Sequence, residues 1–505
     1  MGHGTTLAIG PQQVAPGTGA RTVELVRLDR LQVVDVEELA DAPLAGRPGA
    51  RRGRHWWWLP LAGVVALGGL VIGQSTLDER ARATAAARAA LPGAIDPLGA
   101  ELTVQWRVDP RDTALIRAGT FDDAFVGLRT LDDGSLAVVA LDDATGAQRW
   151  ERVLRGPDPV RAAAVTPQPP LCHAAPQVDE RAVACLVSDG YLAGGGSTVL
   201  RVPAAEPHLV VLDARDGAIL RDVVLPAGTA DAAVTGDVVV AAVQDPPWHV
   251  VAVAVDLVTG AERWRYEPPD QRASGSTSTG TDVAVRAFEV GVVLREPSPA
   301  SRLTVLGADG GVLAEPSTTW SGWAAVGDEL WLRRDNVTSR TVVWSPDGSE
   351  RTVPGRLLTP NVDDGSAGHV RLSDRRVLRA VDTDTGGVLW STTRAVGSGV
   401  AVLGGRMYVP TWSPSLLAVD ARSGKVLWDV AVDPDAFAGT PTTDGTSIVV
   451  VQRSMTAGTP FVTVHDLVDG RVVARLEPPD GVVVISQEGR RLVGGLSDGT
   501  LVVLG

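Results

Sequence analysis

The chain has 505 residues, with 46 Lys or Arg against 60 Asp or Glu and a net charge of −14 at pH 7. That acidic balance excludes a nucleic-acid partner, because phosphate binding needs a concentrated basic face and none appears downstream of residue 54. The two cysteines, Cys172 and Cys185, belong to no CxxC pair or four-ligand set, which leaves no basis for a structural zinc site.

Residues 1–55 are rich in Gly, Pro, Ala and charge without a sustained apolar period, and are assigned as a disordered cytoplasmic tail. Residues 56–73, WWWLPLAGVVALGGLVIG, carry no charge, and at 1.5 Å per residue a helix of this length spans roughly 27 Å of hydrocarbon. A single transmembrane helix acting as an uncleaved signal-anchor is expected there. Arg47, Arg51, Arg52 and Arg54 precede it and Asp78 and Glu79 follow, which keeps the N-terminus cytoplasmic and puts the rest outside. An alanine-rich, helix-forming run up to Pro92, with Thr76 and Glu79 at capping-box spacing, predicts a solvated helical stalk and linker over 74–100.

From residue 101 the texture changes to short runs rich in Val and Leu, broken by Gly, Asp and Pro, which is the pattern of an all-β domain. One phrase recurs in it: LDDATGAQRW (141–150), VDLVTGAERW (255–264), VDTDTGGVLW (381–390) and VDARSGKVLW (419–428). LDARDGAILR (212–221) and HDLVDGRVVA (465–474) keep the turn and lose the tryptophan; GADGGVL and SPDGSER are shortened relatives. Each part has a physical role. Gly146, Gly260, Gly386 and Gly424 allow the positive φ of a tight hairpin. Asp142, Asp256, Asp382 and Asp420 can accept hydrogen bonds from the turn amides. Trp150, Trp264, Trp390 and Trp428 recur once per unit, which favours packing between neighbouring units over a ligand cage.

The anchor glycines stand at 146, 217, 260, 310, 348, 386, 424 and 470, a spacing that suits the four-stranded blades of a propeller. Residues 101–108, ELTVQWRV, supply the fourth strand that the C-terminal GVVVIS, RRLVGGL and GTLVVLG lack, so the two ends are expected to close the ring. Eight anchors plus a closing blade would make nine, above the usual four to eight; the expectation is a single closed β-propeller of about eight blades over 101–505. The longest interval, from Gly146 to Gly217, holds an insertion with both cysteines, and outside the membrane a Cys172–Cys185 disulfide is expected. A second insertion, 270–282, is a polar loop.

The phrases DARSGKVLW, DTDTGGVLW and DLVTGAERW resemble the repeat of the pyrroloquinoline-quinone-type (quinoprotein-like) β-propellers, over most of residues 101–505. The resemblance implies the fold. That superfamily spans quinone-dependent dehydrogenases and noncatalytic scaffolds such as the outer-membrane assembly lipoprotein. Its dehydrogenase branch would imply PQQ over a central tryptophan, a catalytic aspartate, and calcium held by Glu, Asn and Asp, often with adjacent cysteines. Here the cysteines are not adjacent and the only asparagines are Asn336 and Asn361. The seven histidines form no HExxH motif or close pair and are assigned to surface or loops, while Asp382, Asp384 and Gly386 open a calcium-like loop without its bidentate Glu. No catalytic, cofactor-binding or metal residue is therefore assigned. The expected function is a noncatalytic binding or scaffold module of a bacterial cell envelope, with a protein or carbohydrate partner. The alternatives are a PQQ- and calcium-dependent dehydrogenase with an atypical site, and an envelope sensor signalling through 56–73.

Overall fold

Every recurring phrase closes a hairpin, and every such hairpin forms the outer half of an antiparallel sheet in the computed structural model of the protein. The structure describes residues 78–505, except 122, 163–171, 196–197, 246–248, 270–282, 289–290, 297–301, 318–319, 327–328, 335–339, 346, 348, 374–376, 395, 398, 413 and 434. The proposed membrane segment 56–73, Gly348, Asn336 and the loop 270–282 lie outside the described residues. Among the described residues no helix is long and apolar enough to cross a membrane.

Among the described residues nine blades form, where about eight were expected. They occupy residues 120–155, 172–224, 229–266, 284–317, 320–354, 357–392, 400–431 and 436–476, with 482–504 making the ninth together with 104–107. The larger ring arises because the two shortened phrases, after Leu306 and Trp344, also seed complete four-stranded sheets. In the ninth blade Val104, Trp106 and Arg107 pair antiparallel with Leu504, Val503 and Val502, and Thr103 and Gly505 exchange backbone hydrogen bonds. The first strand thereby stands beside the last. Apolar clusters fill the spaces between sheets, built mainly from the Val, Leu and Ala of the second and third strands.

Antiparallel order sorts the connections onto two ends. Turns joining strands one to two and three to four share a turn end, which therefore carries all the repeat phrases. Loops joining strands two to three, and the crossings to the next blade, share an insertion end. The extra hairpin of the second blade, Tyr191–Gly195 with Thr198–Val202, sits between that blade's second and third strands and so belongs to the insertion end.

One blade breaks the pattern. The inner strand of the sixth blade starts in its own sheet, with Leu357 bridged to Ser373 and Leu358 N–H donating to Leu372 O. It then leaves, and Pro360–Asp363 pairs in parallel with Val400–Val402 of the seventh blade. Pro360 has no N–H to give a ladder, which suits the point of departure.

The N-terminal segment is not the free stalk expected from its composition. It is helical over 78–89, mostly exposed, with only its last turn half-buried. Beyond it, Ile95 is fully buried and its N–H donates to Thr443 O, while Arg490 donates to Ala89 O and to the Asp96 carboxylate. Gly93 O accepts from Thr442 Oγ1 at 2.6 Å and Gln487 Nε2 at 2.8 Å. The chain thus enters the propeller over the turn end of the eighth and ninth blades.

A Cβ on Gly93 would lie 1.8 Å from Asn361 O, so the backbone there must separate to admit a side chain. Gly93→Ala is expected to cost roughly 1–3 kcal/mol of overpacking and to free residues 91–96. Hydrogen exchange should show faster exchange at the Ile95 and Asp96 amides; unchanged protection would contradict the docking.

Candidate functional site

The repeat phrase builds one local structure wherever it occurs. Asp142 Oδ1 accepts from Thr145 N–H and Oγ1–H at 2.9 and 2.8 Å, and its other oxygen takes Arg149. Asp256 repeats this with Thr259 and Arg263, Asp420 uses Ser423, and Asp382 accepts from the amides of Asp384 and Thr385. The backbone closes behind it, with Gly146, Gly260, Gly386 and Gly424 each donating to the carbonyl of its own aspartate. These bonds favour ionised carboxylates. Arg149, and then Thr145, hold Asp142 down to about 2; Arg263 and Thr259 hold Asp256 lower still, and Ser423 lowers Asp420.

The tryptophan reaches forward. Trp150 Nε1 donates to Ala214 O, Trp264 to Ala308 O and Trp390 to Ala421 O at 2.8–2.9 Å, each acceptor lying in the turn of the next blade. Trp106 does the same to Asp143 O across the closing joint. Each ring lies flush on a turn glycine: a Cβ on Gly424 would stand 2.5 Å from the Trp390 ring, and Gly146, Gly217, Gly310 and Gly470 face Trp106, Trp150, Trp264 and Trp428 as closely. Where the tryptophan is missing the contact disappears. Arg221 holds its place in the second blade, and nothing comes within 4 Å of a Cβ at Gly260. Trp428 is the exception in chemistry. Its Nε1 is buried without a partner, because Leu467 O, which occupies the acceptor position, already takes Arg406 and Tyr408.

Cys172 and Cys185 are joined by a disulfide and stand directly opposite each other on the first two strands of the second blade, both buried. The disulfide therefore pins the inner strand of the blade to its neighbour. Beside it lies a group that sequence reading missed. Asp231, buried on the inner strand of the third blade, accepts from Arg286 Nη1 at 2.6 Å and from Val285 N–H at 2.9 Å, on the inner strand of the fourth. His173 feels both charges, and burial, then Arg286, pushes it below its usual value; its Nε2 is buried without a partner. His465 is fully buried between Gly470 O and Thr463 Oγ1. The assignment of all histidines to the surface is thus corrected for these two. Nothing in their isolated sequence positions marks them.

Two cavities adjoin Asn361. One, of about 280 Å³, is lined by Trp331, Leu358 and Thr440; the other, of about 390 Å³, lies between Phe437, Arg453, Val484, Ile485 and Gln487. Asn361 donates its amide to Gln487 Oε1 and Pro441 O, both uncharged oxygens. Among the described residues no three His, Cys, Asp or Glu side chains converge as a metal-holding group.

Sheets of four strands set around a ring and interlocked by tryptophan on glycine define a β-propeller of the PQQ-like repeat class. The profile of the family described as outer membrane protein assembly factor BamB matches residues 137–366 and 373–505, well over half of the sequence, and the chain belongs to that family. The alcohol dehydrogenase (quinone) dehydrogenase subunits of Komagataeibacter europaeus and Gluconacetobacter polyoxogenes are also similar. The first is 29% identical over 165 residues, 28% of this chain and 22% of that protein; the second is 30% identical over 122 residues, 21% and 16%. The chain therefore spans less than a quarter of these curated relatives. Among solved structures, BamB from Moraxella catarrhalis superposes with a TM-score of 0.36 at 16% identity, covering 80% of this chain and 97% of that one. Dihydro-heme d1 dehydrogenase NirN, in complex with DHE, has a TM-score of 0.36 at 15% identity, covering 76% and 80%.

The turn geometry separates two costs. Gly424 and Gly260 share φ +69°, but only Gly424 faces a ring. Gly260→Ala is expected to lose about 1–2 kcal/mol from the left-handed backbone. Gly424→Ala should lose a further roughly 1–3 kcal/mol from overpacking against Trp390. Equal losses in urea denaturation would refute the docking role of the glycine. Acid provides another check. Because Asp142 is depressed from 3.8 to about 2, its contribution is fully present above pH about 4 and disappears as pH falls through about 2. Asp142→Asn should flatten the decline in thermal midpoint across that window and leave its slope near pH 7 unchanged.

Proposed function

We propose that the protein is a membrane-anchored, extracytoplasmic scaffold of the cell envelope whose propeller binds a partner protein without catalysis. The observation that carries this reading is the division between the two ends. Repeat turns and the N-terminal segment occupy the turn end, while the inserted hairpin and the crossings between blades belong to the insertion end. Membership of the assembly-factor family favours a protein over a carbohydrate partner. Anchoring rests on the apolar run 56–73 and its flanking arginines, with the N-terminus cytoplasmic.

The dehydrogenase reading draws on the two quinone-dependent relatives, and against it stands the short stretch they share. Full-length protein mixed with PQQ and calcium is expected to show no new absorbance band and no dye reduction with alcohols or sugars; turnover of either would overturn the scaffold. A periplasmic-type reporter fused after Gly505 should be active, and cross-linking in intact membranes should recover a defined protein partner. A reporter active only in the cytoplasm would refute the orientation.

A further inference from the structure

The inner strand of every blade has one edge in its sheet and one towards the channel. In the seventh blade that second edge is occupied by the chain itself, since Pro360–Asp363 lies in parallel register along Val400–Val402. The molecule thus contains an extended segment running from the insertion end and adding to a blade from inside. The next two blades offer the same edge without such an addition. Ala436–Thr443 and Val482–Glu488 are terminal in their sheets, and their turn-end halves are covered by residues 93–96.

Their insertion-end halves differ. The register shifts at Gly439–Thr440 and at Val483, which bends each strand locally. Phe437, Val483 and Val484 are 48%, 43% and 47% exposed, and the cavity of about 390 Å³ lies between these strands with Gln487 on its wall. Trp412, 58% exposed, meets Phe437 edge-on at 6.3 Å, and Met455 is held beside them by its N–H to Asp435 O. Apolar surface and the edge of a strand that is terminal in its sheet therefore coincide in one place.

We infer that this cavity is the docking site for an extended apolar segment of a partner polypeptide, which enters from the insertion end and adds in parallel to the insertion-end half of the channel-side edge of Val482–Glu488. A polypeptide matches both features: its backbone satisfies the edge, and alternate side chains, repeating every two residues, fill the space against Val484, Ile485 and Phe437. A lipid or small apolar ligand would fill the space and leave the edge unmet. The inference deepens the scaffold reading and rests on it for the existence of a partner.

The test uses full-length protein in detergent and a short fluorescein-labelled peptide of alternating Val and Thr, read by anisotropy. Saturable binding is expected, with a counterpart N-methylated at alternate amides binding about tenfold or more weakly, because methylation removes the strand's donors. Val484→Asp and Phe437→Ala should each weaken binding by about tenfold, whereas Val258→Asp, at an exposed turn of the third blade, should leave it unchanged. If Val484→Asp does not fold by circular dichroism, Val483→Asp takes its place. No saturable binding, equal binding of the methylated peptide, or indifference to these substitutions overturns the site. Loss of phosphatidylcholine-vesicle binding in place of peptide binding overturns it too, as a lipid surface. Recovery of the membrane partner undiminished by Val484→Asp would leave the scaffold standing and reject this site alone.

Discussion

The contact on which the ring depends is an indole face laid against a residue with no side chain. A tryptophan near the end of one blade covers the glycine of the next blade's turn, and its N–H finds a carbonyl two or three residues from that glycine. The glycine therefore serves twice: its backbone makes the hairpin possible, and its missing Cβ makes room for the ring. Five tryptophan-on-glycine joints occur among the described residues, four of them with the N–H bonded, and the other joints are held by apolar packing or by arginine. This mixture lets blades of unequal sequence share one circumference. The tight joints set the spacing, and the looser ones absorb the differences.

Turn chemistry also explains the polarity of the molecule. An aspartate with its carboxylate spent on amides, a hydroxyl and often an arginine forms a compact, self-satisfied hairpin with little left to offer a ligand. Repetition makes the turn end uniform, and the N-terminal segment covers part of it. The other end is built from connections that no repeat constrains, so hairpins and aromatic side chains can accumulate there with little effect on the joints.

Much of this was legible in the residues because the phrase is local. Asp, Gly and Trp in a ten-residue window determine a turn and a packing contact with no knowledge of the rest of the chain, and even the shortened GADGGVL and SPDGSER proved sufficient to seed a sheet. What escaped depends on distant partners. Composition marked 74–100 as a solvated helical stalk and linker, yet the seat of Gly93 and Ile95 is made by Thr442, Thr443 and Gln487. The transfer of Pro360–Asp363 to another blade follows from a competition between two sheets, of which the proline is the only local sign. His173 and Asp231 meet because consecutive inner strands converge, and no spacing along the chain reports that.

The ninth blade ties Thr103 to Gly505, a bond between groups 402 residues apart. During synthesis Val104–Arg107 has no sheet partner until Leu501–Leu504 emerges, so until then the assembly remains an open arc with two free edges. Closure is then a single late event that converts a row of stacked sheets into a circle. A chain cut before Leu501 would lose the clasp while keeping nearly all its blades, and its edges would be open to pairing with other chains. Quality control thus has one place to inspect, the seam between Val104–Arg107 and Leu501–Leu504.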